Sequence, residues 1–263
     1  MDLQLEGKLA LVSGSTAGIG FAIAHALAGE GARVIVNGRK PAAVEAAVER
    51  IRTETGGEPL AFAGDLATAA GADEAVRRFP GIAVLVNNLG IFEPKPFEDI
   101  PDDDWRRLFE VNVLGGVRLA RLVLPAMRQA NWGRIIFVSS ESAVQPPPEM
   151  IHYGVTKTAQ LAVSRGLAES LAGTGVTVNC VLPGPTASRG VGDYLQSLAD
   201  AQQKPFDQFE KEFFEQVRPS SLIKRFATPD EVASLVAYIA SPLASATTGA
   251  ALRVDGGMIK SIF

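Results

Sequence analysis

The segment Leu9-Ala-Leu-Val-Ser-Gly-Ser-Thr-Ala-Gly-Ile-Gly20 places four apolar residues directly before a glycine-rich turn, and an alanine-rich stretch follows it. The apolar residues are typical of a buried strand, and the residues from Gly18 to Ala28 predict a helix. Glycines let the backbone turn sharply and approach an anion closely, and the start of a helix presents unpaired N–H groups. The stretch therefore predicts a strand, a phosphate-binding turn and a helix.

Short apolar runs rich in β-branched residues recur along the chain. With the first one they predict seven strands: Leu9 to Val12, Val34 to Val36, Leu60 to Ala63, Ala83 to Val86, Ile135 to Val138, Val176 to Leu182 and Ala251 to Val254. Their hydrophobicity is continuous, which is typical of a parallel sheet covered by helices on both faces. Helices are predicted at Gly18 to Ala28, Pro41 to Thr55, Ala72 to Phe79, Asp103 to Ala130, Met150 to Ala172 and Pro229 to Ala240. The pattern predicts an α/β fold.

Composition excludes several classes of protein. The 263 residues are 47% hydrophobic and 21% charged, which is typical of a folded domain. The net charge of −4 lacks the basic excess that nucleic-acid binding requires. Cys180 is the single cysteine and there are two histidines, so we expect no disulfide and no zinc site. No export signal or run of about 18 apolar residues is visible, so we expect a cytoplasmic protein without a membrane span.

Four motifs follow one another along the chain. They are Gly14-x-x-x-Gly18-x-Gly20, Asn87-Asn88-Leu89-Gly90, Tyr153-x-x-x-Lys157 and Pro183-Gly184. In this order and spacing the sequence resembles the short-chain dehydrogenase/reductase family, from about Gly7 to Gly257. The resemblance implies one doubly wound Rossmann domain over residues 1–263, with a parallel sheet of about seven strands and helices on both faces.

The resemblance also implies a dinucleotide cofactor and the residues that hold it. These are Gly14, Ser15, Thr16, Gly18, Ile19, Gly20, Asp65, Leu66, Asn88, Gly90, Tyr153, Lys157, Pro183, Gly184, Thr186 and Ser188. Family members that use NAD usually carry an acid where this chain has Gly38, and Arg39 follows it. A guanidinium can bind the 2′-phosphate of NADP(H) in a bidentate manner. We expect NADP(H) to be preferred and NAD(H) to be possible, unless Arg39 is only a solvated turn residue.

The expected catalytic residues are Asn112, Ser140, Tyr153 and Lys157. Tyr153 and Lys157 are four residues apart, so they share one face of the predicted helix. An ammonium group about 4 Å from a phenol would stabilise the phenolate by about 4 kcal/mol, enough to lower its pKa substantially. The resemblance implies that Ser140 binds the substrate oxygen and that Asn112 helps to hold a water beside the lysine. Asn112 could instead be a cap or a kink before Gly115.

A long segment, from about residue 184 to residue 228, interrupts the alternation of strands and helices and predicts a helical substrate lid. It is either a mobile cover or a helix packed permanently on the body. Phe206, Phe209 and Phe213 are spaced to share one helical face. The aromatic side chains favour an apolar ketone or alcohol, and the basic ones would suit a carboxylate. These aromatic residues are Tyr194, Phe206, Phe209, Phe213 and Phe214, and the basic ones are Arg189, Arg218 and Lys224.

The function we expect is that of an NADP(H)-dependent carbonyl reductase or alcohol dehydrogenase that acts on a small-molecule substrate. One alternative is a reductase of 3-oxoacyl groups on acyl carrier protein. Such enzymes often carry basic residues where this chain has Asn131 and Thr174. A second alternative is a non-catalytic NADP-sensing module, although such proteins usually lose the tyrosine or the lysine. The resemblance also implies a homotetramer.

Overall fold

The computed structural model describes residues 2–188, 199–200 and 204–262. Arg189 and Tyr194 lie outside the described residues. The described residues form seven strands: β1 Leu9–Val12, β2 Arg33–Gly38, β3 Leu60–Ala63, β4 Val84–Asn87, β5 Gly133–Val138, β6 Val176–Pro183 and β7 Ala251–Val254. They form one sheet in the order β3-β2-β1-β4-β5-β6-β7, and every pair is parallel. The predicted doubly wound α/β fold is confirmed.

Helices connect the strands and cover both faces of the sheet. They are α1 Gly18–Gly29, α2 Pro41–Thr55, α3 Ala69–Arg78, α4 Asp102–Phe109, α5 Gly115–Ala130, α6 Ile151–Glu169, α7 Phe206–Glu212 and α8 Pro229–Ala240. Helix α3 begins three residues earlier than predicted because the hydroxyl of Thr68 accepts the N–H of Gly71 and caps it. Helix α6 ends at Glu169 instead of Ala172.

The predicted continuous helix from Asp103 to Ala130 is wrong at its centre. Helix α4 ends at Phe109, and a π-helical turn, Glu110–Leu114, joins it to α5. A π turn holds one extra residue, which rotates the side chains that follow it. Asn112 lies within this turn and is buried.

Two apolar cores lie on opposite faces of the sheet because neighbouring strand residues point to opposite sides. Leu11, Ile35 and Leu85 pack in the core that also holds buried residues of α3 and α5. Ala10 and Val34 pack in the core that holds those of α1, α2 and α8. The strands are therefore apolar at nearly every position, and polar side chains collect in the loops at their carboxyl ends.

The described part of the predicted lid contains α7 and a π-helical turn, Phe213–Val217. Its phenylalanines form a separate cluster with Phe226, which we call the Phe cluster. The members are Phe206, Phe209, Phe213, Phe214 and Phe226, together with Ala199. The rings of Phe206 and Phe213 each lie 6.2 Å from that of Phe209, which confirms the shared helical face.

Candidate active site

The glycine turn after β1 is held against the end of β4. Gly14 and Gly18 have φ angles of 64° and 58°, in the left-handed region that favours glycine. The side chain of Asn88 donates hydrogen bonds to the carbonyl oxygens of Ser13 (3.0 Å) and Gly14 (3.1 Å). A Cβ at Gly20 would lie 2.4 Å from the Gly14 oxygen, so only glycine permits this packing. No side chain caps the start of α1, and its first N–H groups face a cleft.

Ser15 and Thr16 are neighbours in the glycine turn, but their side chains have different surroundings. Ser15 is fully buried behind the turn, where its hydroxyl donates to the Val12 oxygen (2.7 Å) and accepts the N–H of Asn37 (2.9 Å). The Ser15 side chain therefore supports the turn, and the predicted contact of Ser15 with a cofactor stays a prediction. Thr16 is half-buried and lies against Gly38 at the end of β2, where a Cβ would lie 2.6 Å from the Thr16 methyl carbon. This close approach accounts for the glycine at position 38.

Arg39 and Asp65 lie beside the turn at the ends of β2 and β3. Arg39 is exposed and makes no ion pair or hydrogen bond with the residues that the structure describes. Asp65 accepts the N–H of Ala67 (3.0 Å), while Leu66 is buried in the core. The side chain of Leu66 is therefore unavailable to a ligand, whereas the Arg39 guanidinium is free to bind an anion.

A cleft of about 580 Å³ brings most of the predicted residues together at the carboxyl ends of the strands. Its walls include Gly18, Ile19, Gly20, Asn88, Gly90, Ser140, Tyr153, Lys157, Pro183, Gly184, Thr186 and Ser188. Gly14, Ser15, Thr16, Arg39, Asp65, Leu66 and Asn112 lie outside these walls. Gly184 is held in place by Asp255, whose carbonyl oxygen would lie 2.5 Å from an added Cβ.

Ser140, Tyr153 and Lys157 meet in this cleft. Ser140 follows β5, and Tyr153 and Lys157 come from the first turns of α6. The Nζ of Lys157 donates to the carbonyl oxygen of Val138 at 2.9 Å and lies 5.5 Å from the centre of the Tyr153 ring. The side-chain arrangement that the sequence predicted is therefore formed, with the ammonium group directed at the strand.

The pKa of Tyr153 differs from the expectation. Burial and the nearby charge of Glu141 raise the pKa of Tyr153 above its ordinary value, although a hydrogen bond with Ser140 lowers it. Burial lowers the pKa of Lys157 to about 8. The predicted decrease in the Tyr153 pKa is therefore wrong for this arrangement, because desolvation and the charge of Glu141 outweigh the hydrogen bond from Ser140.

Asn112 links three segments next to this cleft. Its side chain accepts the N–H of Ile91 (2.8 Å) and donates to the Ile91 oxygen (2.9 Å) and to the hydroxyl of Thr156 (3.0 Å). The backbone carbonyl oxygen of Asn112 accepts a hydrogen bond from Nε2 of Gln160 at 2.6 Å. Asn112 thus fixes the loop after β4 to α6, and Gln160 is a buried partner that the sequence analysis did not single out.

Glu141 is the second residue that the sequence analysis missed. Its Oε2 accepts the hydroxyl of Ser140 at 2.6 Å, and it lines the cleft beside Tyr153. Burial raises the pKa of its carboxyl, with Ser140 and Arg218 acting in the opposite direction. Arg218 also lines the cleft and pairs with Glu149 at 3.1 Å. The position of Glu141 directly after Ser140 in the sequence could have indicated a carboxylate in the site.

The described residues contain neither a metal-binding cluster nor a membrane-spanning helix. Among them, no group of three or more His, Cys, Asp or Glu side chains could hold a metal ion. No helix formed by residues 2–188, 199–200 and 204–262 is long and apolar enough to cross a membrane.

Comparison with known proteins identifies the family. A family model described as enoyl-(acyl carrier protein) reductase matches residues 14–259. The uncharacterized oxidoreductase YvaG of Bacillus subtilis (strain 168) is 48% identical over 266 residues, and the alignment covers 100% of both chains. The chain belongs to the short-chain dehydrogenase/reductase family. It is an oxidoreductase of the class that interconverts alcohols and carbonyl compounds with NAD(P).

Other members of the short-chain dehydrogenase/reductase family are similar over the whole chain. D-beta-hydroxybutyrate dehydrogenase of Cupriavidus necator is 35% identical over 261 residues, covering 97% of this chain and 99% of that protein. L-sorbose reductase from Gluconobacter frateurii, solved in complex with NADPH and L-sorbose, has a TM-score of 0.94 at 33% identity and covers 100% of both chains. The NADPH in that neighbour agrees with the NADP(H) preference expected from Arg39.

Proposed function

We propose that this short-chain dehydrogenase/reductase is an NADP(H)-dependent carbonyl reductase or alcohol dehydrogenase acting on a ketone or secondary alcohol. The observation that carries the proposal is the meeting of Ser140, Tyr153 and Lys157 in one cleft with the glycine turn. Tyr153 is the general acid and base, Ser140 binds the substrate oxygen, and Lys157 and Asn112 support proton transfer.

The residues present fit a dinucleotide phosphate. The uncapped start of α1 offers N–H groups to a pyrophosphate, and the glycines allow the backbone to come close to it. Arg39, whose guanidinium pairs with none of the described residues, lies at the edge where the adenosine ribose of a dinucleotide binds in this fold. Lys157, Asn88, Thr186 and Ser188 line the remainder of the cleft and provide polar contacts. When bound, the cofactor supplies or accepts the hydride.

Residues of the chain transfer the proton and bind the carbonyl oxygen of the substrate. In the reductive direction Tyr153 gives its phenolic proton to the carbonyl oxygen as the carbonyl carbon becomes tetrahedral, and the hydroxyl of Ser140 donates a hydrogen bond to that oxygen. The phenolate is then reprotonated from solvent with the help of the Lys157 ammonium. In the oxidative direction the same phenolate accepts the alcohol proton.

Preference for NADP(H) over NAD(H) follows from two positions. Gly38 carries no carboxylate that would accept a free 2′-hydroxyl or repel a 2′-phosphate, and Arg39 offers a charge-assisted bond to that phosphate. The complex of L-sorbose reductase with NADPH supports the same choice.

The proposed reaction is tested by oxidation of NADPH in the presence of a panel of ketones. Turnover should fall by about 100- to 10,000-fold in Tyr153→Phe, while NADPH binding changes little because the ring is retained. NADPH binding without turnover on any ketone would favour the NADP-sensing module instead.

The reductase of 3-oxoacyl groups on acyl carrier protein remains a weaker candidate. Asn131 has a left-handed backbone (φ 47°) at the end of α5, and its side chain accepts the N–H of Gly175 at 2.9 Å. Asn131 therefore has a structural role at a site where a carrier-binding enzyme would often place a basic residue. Faster turnover of a carrier-linked substrate than of the free ketone would favour this candidate.

We also propose a homotetramer that buries the outer side of α6. Val155 on that helix is 45% exposed, and Ala162, two turns further along the same face, is exposed as well. A continuous apolar face of this kind is typical of a surface that a partner covers. Light scattering tests the assembly, and a monomer at micromolar concentration would contradict it.

A further inference from the structure

Glu141 occupies an unusual position beside the reacting groups. It directly follows Ser140, and its Oε2 accepts the Ser140 hydroxyl proton at 2.6 Å. The N–H of Ser142 donates to the oxygen of the same hydroxyl at 3.1 Å, so the proton of Ser140 is directed at Glu141. The carboxyl faces the cleft close enough to Tyr153 for its charge to act on the phenol.

A hydroxyl group has one proton to donate. If Ser140 donates that proton to the oxygen of a substrate carbonyl, as the proposed function requires, it can no longer donate to Glu141. Arg218 is a cation whose charge acts on this carboxyl, but its described hydrogen bonds go to Glu149 (3.1 Å) and to the Val217 oxygen (3.1 Å), and none of those described goes to Glu141. Substrate binding therefore removes the hydroxyl donor of a desolvated carboxylate and leaves it with the backbone N–H groups of Ser142 and of Glu141 itself. The loss of this charge-assisted hydrogen bond is unfavourable unless a new donor replaces the hydroxyl.

The position of Glu141 specifies where the new donor must lie. A carbonyl oxygen bonded to Ser140 would be about two hydrogen-bond lengths, roughly 5 Å, from the Glu141 carboxylate. A substituent on the carbon next to the carbonyl lies within this reach, and a hydroxyl there can donate to the carboxylate. The Arg218 cation nearby disfavours an ammonium group in the same place. Phe92, Phe209 and Phe213 also line the cleft, and their apolar rings suit the carbon chain of the substrate.

We propose that Glu141 makes the site selective for ketones that carry a hydroxyl group on the carbon next to the carbonyl, and for the corresponding vicinal diols. This inference rests on the proposed function and names its substrate class. A site built to bond a substrate hydroxyl rejects an analogue without it far more strongly than an apolar pocket rejects an extra methylene. Glu141 is thus a specificity residue, and Ser140 and Tyr153 remain the groups that act on the carbonyl oxygen.

Matched ketones test the inference. Hydroxyacetone and butanone differ by exchange of a hydroxyl for a methyl group, and so do acetoin and methyl isopropyl ketone. With saturating NADPH, the wild-type kcat/KM for each hydroxy ketone should exceed that for its partner by at least about 100-fold. Glu141→Leu should reduce this ratio to below about 5, because kcat/KM falls for the hydroxy ketone and rises for the plain ketone. Glu141→Gln keeps an acceptor and should retain an intermediate ratio.

A carboxylate outside the cleft provides the matched control. Glu215→Gln removes an exposed charge from the π-helical turn Phe213–Val217 that does not line the cleft, so the ratio should stay within about threefold of wild type. Unchanged NADPH affinity and thermal midpoint in Glu141→Leu show that the fold and the cofactor site are intact. Equal reduction of both ketones by the wild-type protein, or an unchanged ratio in a folded Glu141→Leu, overturns this inference and leaves the proposed function standing. Reduction of neither ketone type by any variant overturns both.

Discussion

Thr16 and Gly38 are in such close contact that a Cβ at position 38 would lie 2.6 Å from Cγ2 of Thr16 and 3.3 Å from Cγ2 of Val44. The turn after β1 and the end of β2 are therefore complementary in shape. This contact limits how the protein can change its cofactor preference, because a carboxylate at position 38 has to displace Thr16 before it can reach a ribose.

Gly38→Asp should weaken NADPH binding by at least about 10-fold, since the new carboxylate repels a 2′-phosphate and its Cβ displaces the turn. It should not improve NADH binding. The double variant Thr16→Ser with Gly38→Asp removes the clashing methyl group and should bind NADH more tightly than the single variant does. Fluorescence titration measures both affinities. Equal NADH affinity in the single and double variants would show that the Thr16 contact is not limiting.

Arg39→Ala should raise the Kd for NADPH by about 10- to 100-fold, the range expected for loss of a charge-assisted hydrogen bond. The Kd for NADH should change less than about threefold, because NADH lacks the phosphate that the guanidinium binds. Arg33→Ala is the control, since Arg33 is an exposed arginine at the opposite end of β2. A parallel loss of affinity for both dinucleotides would contradict the assignment of Arg39.

Lys157→Met should abolish turnover and yet raise the thermal midpoint at pH 7. Burial lowers the pKa of Lys157 from 10.5 to about 8, so the folded protein holds this ammonium at a cost of about 3 kcal/mol. Loss of the bond to the Val138 oxygen offsets about 1 kcal/mol of the gain.

The pH dependence of this gain gives a further check. The cost is fully present below about pH 8 and disappears above pH 10.5, where the lysine is neutral in both the folded and the unfolded state. The difference in thermal midpoint between Lys157→Met and wild type should therefore shrink as the pH rises through this window. Lys211→Met, at an exposed lysine, is the control. A difference independent of pH would contradict a desolvated ammonium.

Glu231→Gln should lower the thermal midpoint by a few degrees at pH 7. The carboxylate accepts hydrogen bonds from Arg225 (2.6 and 2.9 Å) and from the N–H of Thr228 (2.8 Å) in a capping box at the start of α8, and these hold the pKa of Glu231 at about 2. The contribution is present above pH 4.5 and is lost as the pH falls towards 2.

Calorimetry from pH 7 down to the acid limit tests this window for Glu231. The comparison variant is Glu169→Gln, which removes an exposed carboxylate whose one ion pair among the described residues is with Arg165. It should change the midpoint less, because an isolated surface ion pair contributes little. A loss of stability in Glu231→Gln that persists unchanged at low pH would exclude the carboxylate as its cause.

The seven strands were predictable because each forms a short apolar run whose two faces are both buried. Leu11 and Val12 pack in different cores, so the alternation of polar and apolar residues that marks a one-sided sheet is missing. The spacing of Tyr153 and Lys157 likewise requires a common helical face, and the glycine turn follows from its place between β1 and α1. Local geometry dictates all of these features.

What the sequence could not determine depends on contacts between distant segments. The π-helical turn at Asn112 exists where its amide reaches the backbone of Ile91 and the hydroxyl of Thr156, 21 and 44 residues away. The pKa values of Tyr153 and Lys157 depend on burial and on Glu141, not on their spacing along α6.

The sequence by itself therefore determined the sheet, the glycine turn and the common helical face of Tyr153 and Lys157, since each is specified by neighbouring residues and by the period of a strand or helix. The catalytic roles of Ser140 and Asn112 were expected from the resemblance to the family. Only the tertiary structure decided that Ser15 supports the turn from behind, that Gly38 is required by Thr16, and that the Ser140 proton is directed at Glu141. The physical reason is that close packing, desolvation and the sharing of a single proton depend on the three-dimensional arrangement of side chains.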